Sequence, residues 1–67
     1  MAKAKYNGRL KAAISDKGIS QETCASKVGI TGSLLSQILY GRALPTAETR
    51  ERLAKLLGKT EKELFGG

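Results

Sequence analysis

At 67 residues the chain is one domain, in the size range where a single core supplies only about 3–5 kcal/mol of net stability. It has no histidine, one cysteine (Cys24) and one aspartate, so neither a metal cluster of the usual ligands nor a nucleophile–base triad can be assembled. We therefore expect no enzyme, no catalytic residue, no metal, no cofactor and no small-molecule ligand, but a binding module with a net charge of +6 to explain.

That charge is uneven. Residues 1–47 hold seven bases and two acids, and residues 48–67 hold five bases and four acids. A polyanionic partner would meet the first two-thirds of the chain, although a basic balance alone also serves solubility. A lone cysteine makes no internal disulfide, the opening MAKAKYNG has no apolar signal core, and no stretch approaches the roughly 20 apolar residues of a membrane span. A cytoplasmic protein that does not engage membranes is the simplest expectation.

Residues 1–5, with Lys3 and Lys5, read as a loose basic arm, and residues 6–67 as the folded domain. A first helix is expected over 6–17, with Leu10 and Ile14 inward. It ends at Gly18, where glycine supplies the left-handed closing conformation and Ser20 caps the next helix. That second helix, 21–28, turns Cys24, Ala25 and Val28 inward. Buried in this way, Cys24 is a small hydrophobe and not a reactive thiol. Gly29-Ile30-Thr31 repeats the closing and capping signals and opens a third helix at 32–40, closed by Gly41. Ile19 and Ile30 each precede a cap by one residue and stand five positions before Cys24 and Leu35, the spacing of a hydrophobic staple. Pro45-Thr46 opens a fourth helix, 47–57, with Leu53, Leu56 and Leu57 inward. Gly58 closes it, and Thr60 with Glu63 forms the capping box of a fifth, 61–65. No segment alternates like a strand, so the fold class is all-α with five short helices.

The third helix carries an unusual pattern. At about 100° per residue, Leu35 and Ile38 make an apolar face flanked by Leu34 and Leu39, and Ser33, Ser36, Gln37 and Tyr40 gather opposite it. That second face has no charge, whereas the fourth helix carries Glu48–Arg52 and Glu51–Lys55 at i,i+4 as a solvated surface does. Uncharged donors and acceptors suit the edge of a base pair. No acid lies between Glu22 and Glu48, and Lys27 and Arg42 flank the helix. A small solvated face that merely lacks charge is the plainer alternative.

From Leu10 to Phe65 the chain resembles the helix-turn-helix domains of the Cro and phage-repressor type, the lambda-repressor-like family of transcriptional regulators. Leu10, Gly18, Ile19, Ser20-Gln21-Glu22, Ala25, Gly29, Leu35, Ile38, Gly41-Arg42, Pro45 and Leu53-Ala54-Leu56-Leu57-Gly58 carry the resemblance. It implies a compact five-helix DNA-binding domain with the motif over about 20–41 and the third helix in the major groove. By the same resemblance Thr31, Gly32, Ser33, Ser36 and Gln37 face the bases. Gln21, Lys27, Tyr40 and Arg42 face phosphates, joined by Lys3 and Lys5 of the arm.

Two departures stand out. Gly32 occupies the place where many relatives carry a long polar base reader braced by the glutamine at the start of the second helix. That pair is missing here, and base reading falls largely on Gln37. Leu34, Leu39 and Tyr40 make the helix greasier than usual; Leu34 suits the core edge first, then a thymine methyl or a protein interface. The function implied is a sequence-specific regulator of double-stranded DNA, a repressor working as a homodimer on a palindromic site, with Leu64 and Phe65 as dimer contacts or as closure of the core. The alternative is a protein-interaction module docking a partner through the third helix.

Overall fold

A computed structural model of the chain describes residues 6–66. Among these residues five helices follow one another: α1 (Gly8–Lys17), α2 (Gln21–Val28), α3 (Gly32–Leu39), α4 (Ala47–Leu57) and α5 (Glu61–Phe65). The all-α expectation holds. Residues 1–5, and with them Lys3 and Lys5, lie outside the described residues.

Short polar residues set each helix start. Oxygens of Asn7, Ser20, Thr31, Thr46 and Thr60 accept from the backbone N–H three residues on, satisfying a donor that the first turn would otherwise leave free. At Thr60 the box is reciprocal, since Glu63 Oε1 accepts from the Thr60 N–H at 3.0 Å. Two boundaries move from the sequence expectation. Helix α1 begins at Gly8 instead of residue 6, because Asn7 is its cap, and α3 ends at Leu39 with Tyr40 as its C-cap.

Asn7 does more than cap. Its Nδ2 donates to the Leu64 carbonyl at 2.9 Å and its backbone N–H to the Leu39 carbonyl at 2.6 Å. One residue thereby ties the start of α1 to α5 and to the end of α3.

All five helices contribute to one core. Leu10, Cys24, Leu35 and Leu53 have no exposed surface, and Ala13, Ile14, Ala25, Val28, Ile38, Leu39, Leu57 and Leu64 complete the cluster. Helix α2 packs on α3 and α4, while α1 packs on α5, α3 and α4. Among the described residues no buried side-chain nitrogen or oxygen lacks a hydrogen-bond partner. Three sequence assignments need correction. Leu56 is only partly buried and lies beside the core. Leu34 is 37% exposed, against 1% for Leu39, so it stands outside the core instead of at its edge. The helical wheel explains this: Leu34 sits about 40° beyond Ile38, outside the arc that α1 and α2 cover. Leu64, offered as a dimer contact or as closure of the core, is 1% exposed and closes the core beneath α1, so the dimer alternative falls.

Burial pushes the Cys24 thiol up from its ordinary pKa, since a thiolate there would be desolvated. The thiol stays neutral and inert at physiological pH.

Candidate nucleic-acid interface

The turn between α2 and α3 is built from backbone hydrogen bonds. Gly29 has φ +79°; its N–H donates to the Ser26 carbonyl and the Ile30 N–H to the Ala25 carbonyl, the paired bonds of a Schellman motif. The dihedral favours glycine, and a Cβ there would also lie 3.0 Å from Arg52 Nη1, so the end of that side chain would have to shift. Arg52 is there for a reason that Glu48–Arg52 spacing alone did not reveal. Its Nη1 donates to the Val28 carbonyl at 3.4 Å and its Nη2 to Glu48 Oε2 at 2.7 Å, so a cation on α4 supports the negative end of α2.

This turn fixes how α3 is presented. Leu35, Ile38 and Leu39 are drawn into the core; Ser33 and Gln37 are left exposed on the far side, and Ser36 is half-buried beside them. Thr31 is exposed, and its Oγ1 accepts from the Leu34 N–H at 3.0 Å. The cap takes one acceptor lone pair and leaves the hydroxyl proton free to donate. Gly32, half-buried, contributes backbone only. Its notional Cβ would be 3.4 Å from Glu22 Cγ.

The two flanks of α3 carry the other expected residues. On α2, Gln21 is half-buried at the first position and Lys27 exposed in the last turn. Beyond α3, the Gln37 carbonyl accepts from the N–H groups of Arg42 and Ala43, at 2.8 and 3.2 Å, while Gly41 takes φ +74°. These bonds set the backbone direction where Arg42 leaves the loop. Arg42 is exposed and has no ion-pair partner among the described residues. Tyr40 is 53% exposed and its ring lies 5.1 Å from that of Tyr6, tilted by 47°. That pair was not legible in the sequence, where the two tyrosines are far apart. Nor was Leu44, which is 91% exposed in the loop after α3 and lines a groove with Tyr6, Pro45, Arg50 and half-buried Phe65.

The outer surface of α4 is of another kind. Glu48–Arg52 and Glu51–Lys55 pair as the spacing predicted, and Arg50 Nε adds a contact to Glu61 at 3.7 Å. These pairs are exposed and neutralise one another locally.

Known proteins share this fold. The helix-turn-helix domain family matches residues 7–67. Among solved structures, the restriction-modification controller protein C.AhdI from Aeromonas hydrophila is 31% identical and superposes with a TM-score of 0.80, over 92% of this chain and 94% of that one. No curated protein matches. The chain belongs to the helix-turn-helix domain family in its Cro and phage-repressor form, and by that membership it is a DNA-binding transcriptional regulator.

Proposed function

We propose that the protein is a sequence-specific repressor that reads the major groove of double-stranded DNA with α3. The observation that carries this reading is the exposed, uncharged face of Ser33 and Gln37, held rigidly by a Schellman turn at each end and flanked by Gln21, Lys27 and Arg42. Phosphate contacts from Gln21, Lys27, Tyr40 and Arg42 place the helix, and Gln37, Ser33, Ser36 and Thr31 supply hydrogen bonds to base edges. Gln37 offers both a donor and an acceptor, the combination that adenine requires. Lys3 and Lys5, outside the described residues, add positive charge to the chain that meets the DNA.

The active form in this reading is a homodimer on a palindromic site. Each copy has one α3, so a site of two half-sites about 34 Å apart requires two copies. Phe65 and Leu44 are the apolar surface on offer for that contact, on the groove that they line together. The protein works in the cytoplasm, where the DNA is. A relative that is itself a controller protein supports regulation over a purely structural role.

Exposed Leu34 favours one other reading, a protein-interaction module docking a partner through α3. Selection from a random duplex pool, followed by binding at several salt concentrations, separates the two. The DNA reading predicts an enriched palindrome and affinity that falls steeply with salt; the docking reading predicts neither.

A further inference from the structure

The geometry points to Glu22 as the residue that takes over base selection at the start of α3, an inference that rests on the DNA-reading role proposed above. Gly32 is the first residue of α3 and brings no side chain to that position. The space beside it is taken from the neighbouring helix: Glu22 Cγ lies 3.4 Å from where a Cβ on Gly32 would stand, in van der Waals contact. The aliphatic stem of Glu22 on α2 therefore lies against the first turn of α3, and its carboxylate extends past that contact to the exposed surface.

That carboxylate is uncommitted. Glu22 is exposed, and among the described residues it makes no ion pair and no side-chain hydrogen bond, in contrast with Glu48, Glu51, Glu61 and Glu63. It is also the last acid before Glu48, at the border of the acid-free segment 23–47. An ionised carboxylate only accepts hydrogen bonds. In the major groove the available donors are the amino groups of cytosine and adenine, whereas guanine offers two acceptors and thymine an acceptor and a methyl group. Glu22 thus selects a base with an exocyclic amino group at one position of each half-site, cytosine foremost, and rejects guanine and thymine on that strand by acceptor–acceptor repulsion. Its charge also repels phosphates, so it sharpens specificity by weakening binding everywhere else.

The test compares the full chain with E22Q and E22A, each selected against the same random duplex pool and then measured on the wild-type site, its single-base variants and random duplex at several salt concentrations. Thermal unfolding of each variant controls for folding, because a first-turn carboxylate also favours α2. We expect both variants to bind random duplex several-fold more tightly than the wild type at low salt. In E22A, discrimination at one position per half-site should fall about tenfold or more. In E22Q, whose amide also donates, that position should shift toward adenine or guanine. A merely helix-stabilising Glu22 would lower the melting temperature and leave every base ratio unchanged, which overturns the inference. So would a uniform gain in affinity with the same selected sequence. A wild-type chain that enriches no sequence overturns the DNA-reading role itself and the inference with it.

Discussion

Helices α3 and α4 bury the same kind of surface and expose opposite kinds. Leu35, Ile38 and Leu39 on one, Leu53 and Leu57 on the other, face the same core. Outward, α4 carries Glu48–Arg52 and Glu51–Lys55, pairs whose partners are already present and whose remaining needs water meets. Outward α3 carries hydroxyls and an amide with no charge among them, edged by cations and by one unpaired acid. The buried sides make a fold, and the difference between the exposed sides is where a function separates from it. Four sets of variants probe that contrast.

The buried sides should behave alike. Leu35→Ala and Leu53→Ala remove fully buried side chains, and each should cost about 2–5 kcal/mol in denaturant unfolding. For a domain holding only about 3–5 kcal/mol, either change should leave much of the protein unfolded at room temperature. A large loss in only one of the two would show that the helices do not share a core.

The two turns should differ in a graded way. Gly29 and Gly58 both have positive φ, so an alanine at either should cost about 1–2 kcal/mol through the left-handed conformation. A Cβ at Gly58 meets nothing within 4 Å, whereas at Gly29 it lies 3.0 Å from Arg52 Nη1. Gly29→Ala should therefore exceed Gly58→Ala by under about 1 kcal/mol, the worth of a displaced, half-exposed arginine contact. Equal losses in chemical denaturation would mean that Arg52 does not support the turn.

The exposed face of α4 should be nearly silent. Lys55→Ala removes one member of an exposed pair and should change stability by under about 0.5 kcal/mol, less still in high salt. A loss of several kcal/mol in the same unfolding assay would mark that surface as more than a solvated one.

The smallest effect is on pH. The Thr60 backbone N–H, then its hydroxyl, hold the Glu63 carboxyl below its ordinary pKa. A depressed carboxylate contributes stability that is present above the unfolded value, about 4.3, and is lost as pH falls through the lower folded value. Acid titration of thermal stability should show this small loss below about pH 4.3 in the wild type and less of it in Glu63→Gln. An identical acid limb in both would remove the capping box from the account.

The five helices were legible because their boundaries are local: glycine closures and Ser or Thr caps lie within a few residues of what they control. The start of α1 was misplaced because Asn7 looks like any loop residue until Leu64 and Leu39, distant in sequence, offer their carbonyls. The same holds for the site. Ser33 and Gln37 followed from a helical wheel, since exposure on one helix is periodic. The burial of Leu64, the exposure of Leu34 and Leu44, the Tyr6–Tyr40 pair and the approach of Glu22 to Gly32 depend on which helices meet, and no local pattern encodes that.

The central claim is that the uncharged face of α3 reads bases while its cationic edges hold phosphates, and paired variants test it most directly. Affinities of Gln37→Ala and Arg42→Ala would be measured on a selected site, its single-base variants and random duplex across a salt series. Gln37→Ala should lose about 1–3 kcal/mol at one base position of each half-site with the salt slope unchanged, and Arg42→Ala should weaken binding to every sequence and lower the slope by about one unit. If Gln37→Ala kept every base preference intact, α3 would not be reading through that face, and the contrast with α4 would carry no function.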